Sequence, residues 1–422
     1  MNIAVNALAK DARDAAYGLP LEKLNVAQPI LFQTDTMWPY FERLRKEDPV
    51  HYCAESEFGP YWSITKYNDI MAVDTNHQVF SSDFSYGGIT IGGDPAKFEP
   101  LPMFIAMDPP RHDIQRKIVT PVVSPANLQV LGPIIRERAG KILDSLPIGV
   151  AFDWVDKVSI ELTTMTLATL FDFPFEERRK LTRWSDVVTA VPGFGIVDTV
   201  EQKMQILQEF HAYFTGLWNE RVNSTEPGGD LISMLAHNPA TRNMEPREYF
   251  GNVVLLTVGG NDTTRNTITG SVVALNQNPD QYAKLRANPE LIASMVSETI
   301  RWQTPLAHMR RTAISDSEFK GKKIRKGDKV VMWYVSGNRD DDVIERPNDY
   351  IIDRENPRRH ISFGFGIHRC VGNRLAELQL QIIWEEIMKR FPVIEMVGEP
   401  KRTYSTFVKG YEHLDVVIPK RN

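Results

Sequence analysis

One cysteine lies in a glycine-rich segment directly before a pattern typical of an α-helix. The segment reads Phe363-Gly364-Phe365-Gly366-Ile367-His368-Arg369-Cys370-Val371-Gly372, and helical periodicity continues from Asn373 to Phe391. A helix start carries partial positive charge and unpaired N–H groups, which stabilise a negatively charged sulfur. The sequence therefore predicts that Cys370 is a thiolate ligand to a metal.

The neighbours of this thiol indicate what kind of metal group it holds. Gly364, Gly366 and Gly372 let the backbone come close to a flat ligand, where a Cβ would collide. His368 and Arg369 offer cations to acidic groups on that ligand. A thiolate with two nearby cations suits iron held in a porphyrin with propionate arms.

An isolated cysteine beside glycine is more often a small buried hydrophobe than a ligand. The complete spacing Phe-x-x-Gly-x-His-x-Cys-x-Gly favours the ligand, because it resembles the haem-ligand loop of the cytochrome P450 family. That resemblance implies that Cys370 is the axial ligand of haem b, with Phe363 beneath the sulfur. It also implies that His368, where many members have arginine, contacts a haem propionate.

A second constellation is Val258-Gly259-Gly260-Asn261-Asp262-Thr263-Thr264. Two glycines inside a helix cost about 2 kcal/mol relative to alanine. One interpretation is therefore a break between two helices, with Asp262 capping the second. The other is a locally opened helix that makes room for a small ligand and water. The resemblance favours the second: Asp262 and Thr263 would deliver protons to bound oxygen, and Gly259 and Gly260 would form the oxygen groove.

Several cations fall where the resemblance implies contacts to the propionates. His112 follows the turn Asp108-Pro109-Pro110-Arg111, and Arg116 lies four residues later, on the same helix face. Arg311 aligns with another propionate-binding arginine. Judged singly, each is more often a solvated surface charge. Since all three fall where one haem would need them, the resemblance predicts that His112, Arg116 and Arg311 bind it.

The pair Glu298 and Arg301 resembles the family's Glu-x-x-Arg motif. The same spacing recurs elsewhere in the chain, for example at Glu42 and Arg45, so the pattern alone carries little information. Its place between the oxygen helix and the cysteine loop selects Glu298 and Arg301. We expect a buried structural pair that ties its helix to the segment before the loop.

The substrate side is predicted to be apolar. Its candidates lie before the Asp-Pro-Pro turn, one turn before the glycines, after the Glu298 helix and in the C-terminal turn; they are Met103, Phe104, Ile105, Leu255, Val258, Leu306, Ala307 and Phe407. The stretches Pro102–His112 and Thr257–Gly270 most resemble bacterial alkane hydroxylases of the family. That likeness implies oxidation of the terminal methyl of medium-chain alkanes or fatty acids, with a terpene or sterol side chain as the alternative substrate.

The elements that must position these residues are mainly helical, with a minor β region. We expect a short helix over Trp38–Glu47. Of two long helices, one is marked by an apolar stripe at Met204, Leu207, Phe210, Phe214 and Trp218, and the other runs from Arg247 past Val258 towards Leu275. Four strands are expected, at Val50–Cys53, Tyr61–Thr65, Lys329–Trp333 and Leu414–Ile418. The resemblance implies the cytochrome P450 fold as a single large domain over residues 1–422. Its mixed α/β part covers roughly 38–110, and its helical haem-binding part roughly 111–422.

Bulk composition sets further limits. The 422 residues are 42% hydrophobic with a net charge of −5, which gives no indication of nucleic-acid binding. Only Cys53 and Cys370 occur, so a reducing compartment is expected. The N-terminus shows neither a signal-peptide pattern nor about twenty consecutive apolar residues. We therefore expect a cytoplasmic protein without a membrane span.

The leading hypothesis is a haem-thiolate monooxygenase that uses O2. The sequence shows no flavin domain and no cysteine set for an iron–sulfur cluster, so electrons should come from a separate ferredoxin and an NAD(P)H-dependent ferredoxin reductase. Candidate contacts to that partner, or ordinary solvated charges, are Lys117, Arg358, Arg359, Arg369 and Arg374. A peroxide-driven peroxygenase and a non-catalytic haem sensor are the alternatives, although neither needs the Asp262–Thr263 pair.

Overall fold

The computed structural model describes residues 2–93, 100–226 and 228–422. The α-helices in this part of the chain are α1 (Asn2–Gly18), α2 (Pro29–Gln33), α3 (Trp38–Glu47), α4 (Tyr67–Thr75), α5 (Arg111–Val119), α6 (Pro125–Asp144), α7 (Glu161–Phe171), α8 (Arg179–Thr189), α9 (Val200–Val222), α10 (Leu231–His237), α11 (Pro246–Gln277), α12 (Pro279–Ala287), α13 (Ile292–Gln303), α14 (Tyr334–Gly337) and α15 (Asn373–Arg390). A π-helical segment, Val155–Ile160, leads into α7.

The strands in the same residues are β1 (Val50–Cys53), β2 (Tyr61–Ile64), β3 (Phe80–Ser81), β4 (Phe152–Asp153), β5 (Met309–Ala313), β6 (Ser317–Phe319), β7 (Lys322–Ile324), β8 (Lys329–Met332), β9 (Glu395–Met396), β10 (Lys401–Arg402), β11 (Tyr411–His413) and β12 (Asp415–Val417). The expectation of a mainly helical chain with a minor β component is confirmed. So are the predicted helices now seen as α3, α9, α11 and α15, and the predicted strands now seen as β1, β2, β8 and β12.

The largest sheet has the strand order β1-β2-β8-β5-β3. Strand β2 pairs in parallel with β8, while the other neighbours are antiparallel. Strand β8 was predicted, whereas β5, β6 and β7 were not. The sheet contains strands from both predicted parts, 38–110 and 111–422, so the two parts share one sheet.

Both faces of this sheet are covered. Tyr61 and Val331 belong to one buried apolar cluster, whereas Trp62 and Val330 belong to another. Successive side chains of a strand point to opposite faces, so each strand contributes to both clusters. A strand buried on both sides shows a nearly continuous apolar sequence, which is why β2 and β8 were recognisable.

Helix α11 is continuous through its two glycines. The alternative of a break capped by Asp262 is therefore wrong: that side chain does not cap a helix, and it contacts neighbouring side chains as described below. Helix α11 packs against α7, α8 and α13, and most of its residues are buried. Tertiary packing of this extent outweighs the low helix propensity of glycine, aspartate and threonine.

Helix α9 carries the expected apolar stripe in a slightly rotated position. Phe210 and Phe214 are buried as predicted, and they are joined by Ile206 and Leu217. Met204 is 51% exposed and lies outside the stripe. The helix was predicted correctly, but the face that it buries was predicted only in part.

Among the described residues, no single helix combines the length and apolar composition needed to cross a membrane. One pair of helical segments, Arg111–Val123 and Pro125–Asp144, is bent by 47° at the break between them. Taken together, these two segments meet the criteria of length and composition, and of those two properties only.

Candidate active site

The cysteine loop is shaped by glycines in left-handed conformations. Gly364 and Gly366 both have φ +66°, and a Cβ on Gly366 would lie 2.7 Å from the carbonyl oxygen of Asp74. The close neighbours of these two glycines include the last turn of α4, which corrects the expectation that their Cβ positions would meet a flat ligand. Gly372 has a negative φ and open space at its Cβ position.

Cys370 lies at the end of this loop, two residues before Gly372. Its backbone N–H donates to the carbonyl of Phe363 at 2.8 Å, which closes the loop. The residue is exposed, and burial raises the pKa of its thiol. The N–H groups of Gly372 and Asn373 and the charge of Arg116 act in the opposite direction. These are the groups expected to stabilise a thiolate.

Two buried histidines lie side by side next to the loop. Ser82 Oγ is 2.8 Å from His368 Nε2, and His112 Nδ1 is 2.7 Å from Asp113 Oδ1. The other ring nitrogens, His368 Nδ1 and His112 Nε2, are buried without a hydrogen-bond partner in the described residues. Burial lowers the pKa of both rings. A free ring nitrogen that carries a proton can donate to an acidic group of a ligand.

Both predicted arginines are linked to the cysteine loop by hydrogen bonds to other protein groups. Arg116 Nη2 donates to the carbonyl of Arg369. Arg311 lies on β5, and its Nη2 donates to Asp74 Oδ1 at 2.7 Å in a fully buried pair. Asp74 Oδ2 also accepts from the backbone N–H of Phe365 at 2.7 Å. Asp74 thus links Arg311 to the cysteine loop, and sequence reasoning missed it.

The pair Glu298 and Arg301 has the predicted structural role. Both side chains are buried, and Arg301 donates to both carboxylate oxygens of Glu298 at 2.7 and 2.8 Å. Arg301 Nη1 also donates to the carbonyls of Asn338 and Pro347, both at 2.8 Å, which ties α13 to the segment before the loop. Arg354 is a second cation on Glu298, 3.0 Å away, and was not predicted.

On α11 the two glycines have different surroundings. A Cβ at Gly259 would meet nothing within 4 Å, whereas one at Gly260 would lie 3.0 Å from Leu167 Cδ1 on α7. Gly259 is exposed although its helix is mostly buried, so it borders an open space. The hydroxyl of Thr263 donates to the Gly259 carbonyl at 2.9 Å. Gly259 and Thr263 are thus joined by a hydrogen bond, while Gly260 allows close packing of α11 against α7.

Asp262 points away from Thr263, towards α8. Its Oδ1 accepts from Ser185 Oγ at 2.7 Å and from Arg265 Nη2 at 3.1 Å. Arg265 also donates to Asp186 at 2.6 Å. Burial is the main cause that raises the pKa of Asp262, to about 6. Sequence reasoning missed Ser185, Asp186 and Arg265, because no local pattern marks them.

The structure joins several of the predicted substrate-side segments. The N–H of Phe104 donates to Asn252 Oδ1 at 2.9 Å, which attaches its segment to α11. The N–H of Ala307 donates to the carbonyl of Phe407 at 2.9 Å, and Leu306 bridges to Val408. Phe104 and Ala307 are buried; the other candidates, Met103, Ile105, Leu255, Val258, Leu306 and Phe407, are partly buried.

Residues 37–416 match the profile of the family described as Cytochrome P450. The chain belongs to the cytochrome P450 family. It is 35% identical to linalool 8-monooxygenase of Pseudomonas putida over 95% of this chain and 100% of that protein. It is 31% identical to a methyl-branched lipid omega-hydroxylase of Mycobacterium tuberculosis, over 89% of this chain and 90% of the relative.

The fold is similar to that of cytochrome P450-153 from Novosphingobium aromaticivorans. The TM-score is 0.87 at 46% identity, covering 94% of this chain and 99% of that structure. The predicted resemblance to the cytochrome P450 family is thereby confirmed. This P450 is a monooxygenase of the bacterial type, and its family uses a haem-thiolate centre.

The residues present fit a haem. Cys370 supplies sulfur on an exposed residue at the end of the loop, and Gly259 leaves room beside α11. The free nitrogens of His112 and His368 are placed where carboxylate arms could be bound. Phe363 and Val258 are packed against the same apolar core, so this P450 provides a largely apolar environment for such a group.

Proposed function

We propose that this P450 hydroxylates the terminal methyl of medium-chain alkanes or fatty acids. The observation that carries the proposal is the 46% identity to P450-153 over 94% of the chain. The omega-hydroxylase relative supports it, because omega positions are terminal carbons. The apolar side chains Leu255, Val258, Leu306 and Phe407 offer no fixed charge to a polar substrate.

Each residue has a separate task in this proposal. Cys370 would hold haem b, while His112, Arg116, Arg311 and His368 would bind its propionates. When bound, the haem supplies activation of O2 and oxidation of the C–H bond. Gly259 would keep α11 thin beside that position, whereas Gly260 faces Leu167 of α7.

Two further residues of α11 would move protons. Thr263 presents a hydroxyl beside the open space at Gly259, and Asp262 is the nearest carboxyl along the chain. With a pKa raised to about 6, Asp262 can exchange a proton near neutral pH, as a proton donor must. A peroxygenase or a haem sensor would not need this pair, and therefore we favour the O2-dependent reaction.

Binding spectroscopy with a graded series of n-alkanes tests the substrate. Each buried methylene contributes about 0.8 kcal/mol, so affinity should rise roughly three- to fourfold per carbon until the cavity is filled. The readout is the shift of the iron spin state, followed by product analysis that locates the hydroxyl. A response to bulky sterols alone would contradict the proposal.

A terpene substrate is the second candidate. It is favoured by the 35% identity to linalool 8-monooxygenase over that protein's full length. Linalool therefore belongs in the same titration as the alkanes and fatty acids. Tighter binding and faster turnover of linalool than of every n-alkane would replace the alkane proposal with this one.

Electrons would come from a separate ferredoxin and its NAD(P)H-dependent reductase. The five predicted contact residues, Lys117, Arg358, Arg359, Arg369 and Arg374, are all exposed. Arg358 and Arg359 also line a surface recess of about 620 Å3. An acidic ferredoxin would be attracted by such a surface, and its association rate should fall steeply with ionic strength.

Turnover with peroxide but not with a ferredoxin system would favour the peroxygenase. Location in the cytoplasm is part of the same proposal.

A further inference from the structure

The two carboxyl oxygens of Asp262 have very different surroundings. Oδ1 accepts three hydrogen bonds, from Ser185 Oγ at 2.7 Å and from Asn261 Nδ2 and Arg265 Nη2, both at 3.1 Å. Oδ2 is buried and has no hydrogen-bond partner among the described residues. The side chain as a whole is fully buried.

This asymmetry determines where a proton can be carried. An ionised carboxylate with one bare, buried oxygen is costly, because that oxygen has lost water without gaining a donor. Oδ1 is already occupied by donors, so a proton on Asp262 belongs on Oδ2. The three donors therefore orient the carboxyl and leave one oxygen available for transfer.

One guanidinium nitrogen serves two carboxylates. Arg265 Nη2 lies 2.6 Å from Asp186 Oδ1 and 3.1 Å from Asp262 Oδ1. Asp186 lies on α8 with 28% of its side chain exposed, whereas Asp262 is inaccessible. The shorter contact belongs to the partly solvated partner, so Asp186 competes with Asp262 for the only cation that contacts the Asp262 carboxyl among the described residues.

We infer that Ser185, Asp186 and Arg265 are positioning residues for proton delivery by Asp262. Ser185 and Arg265 hold Oδ1, and Asp186 limits how strongly Arg265 neutralises the buried carboxylate. The inference rests on the proposed role of Asp262 in this P450. It adds that α8, which contributes two of the three residues, controls the carboxyl on α11.

The directions of the individual effects follow from the contacts. After burial, the charge of Arg265 is the largest influence on Asp262 and lowers its pKa; the charge of Asp186 raises it, and the hydrogen bond from Ser185 lowers it. From α7, the neutral hydroxyl of Thr163 reaches the cluster by donating to Asn261 at 3.0 Å. Two adjacent residues of one helix thus act on the carboxyl in opposite senses.

Opposite shifts from adjacent substitutions provide the test. In Asp186→Asn the Arg265 cation is left to Asp262, so the carboxyl should lose its proton at lower pH. In Ser185→Ala a donor to Oδ1 is lost, so deprotonation should require higher pH. We expect displacements of about half a pH unit or more in each direction. Arg183→Gln on the exposed side of α8, where Arg183 pairs with Glu209, is the matched control and should cause no shift.

The readout is the infrared band of the protonated carboxyl in the holoenzyme, assigned by its absence in Asp262→Asn and followed against pH. The pH profile of coupled turnover should move with it. Shifts of the same sign in both variants, or none, would overturn the inference. Full coupled turnover in Asp262→Asn would instead refute the proposed role of Asp262, whatever the infrared midpoints show.

Discussion

The imidazole ring of His112 meets that of His368 edge to face, with ring centroids 4.4 Å apart and planes inclined by 70°. One residue comes from α5 and the other from the cysteine loop, so the contact joins two segments that are distant in the chain. Each ring keeps one buried nitrogen free. The two free nitrogens are the structure's strongest indication of where the acidic arms of a haem would lie.

Removing either ring should therefore weaken haem retention. A hydrogen bond to a charged group contributes about 1.5–3 kcal/mol, so His112→Ala or His368→Ala should release haem at least about tenfold faster. Transfer of haem to an apoglobin acceptor measures that rate. His413→Gln is the control, because His413 is 47% exposed and contacts Asp153 and Asp415. An unchanged rate in both alanine variants would place the propionates elsewhere.

The two cysteines should respond differently to the same substitution. In Cys370→Ser the reduced, carbon-monoxide-treated protein should lose the red-shifted Soret band that thiolate ligation produces. Cys53→Ser should keep the band, since that thiol is buried on β1 and donates to the carbonyl of Glu55. A normal band in Cys370→Ser would refute the ligand assignment and, with it, the proposed chemistry.

Glu298→Gln should strongly destabilise the fold. The substitution leaves Arg301 and Arg354 without their shared counter-charge, and loss of one member of a buried pair costs about 3–5 kcal/mol. Glu137→Gln is the matched control, because Glu137 pairs with Lys141 in solvent. An exposed pair of this kind contributes about 0–1 kcal/mol. Denaturant titration compares the two free energies of unfolding, and similar losses would contradict the structural role of Glu298.

Acid should destabilise the protein through its buried histidines. Burial lowers the pKa of His308 from its ordinary 6.5 to about 4. Between these values the unfolded chain binds a proton that the folded chain does not. The contribution of His308 is therefore complete above about pH 6.5 and declines by about 1.4 kcal/mol per pH unit on acidification. In urea titrations the stability difference between wild type and His308→Gln should shrink from pH 7 to pH 5. Parallel profiles would show that His308 is not titrating.

Local patterns revealed the residues that carry the chemistry but not the partners that hold them. Cys370, Asp262 and Glu298 lie in recognisable segments. Their region is completed by Asp74, which pairs with Arg311 across 237 residues, and by Ser185, 77 residues from Asp262. Such partners leave no periodic signal. Strand β5 escaped recognition for a related reason. Arg310 and Arg311 are charged residues in a buried strand, and hydrogen bonds to Tyr86 and Asp74, distant in the chain, stabilise them there.

The parallel pairing of β2 with β8 also affects how the protein is made. Trp62 aligns with Val330, more than 260 residues later. During translation the hairpin of β1 and β2 must wait for most of the polypeptide to leave the ribosome before its outer edge is covered. An uncovered strand edge can pair with other chains. Pairing between uncovered edges depends on the concentration of incomplete chains, so a lower level of expression should raise the soluble yield of this protein.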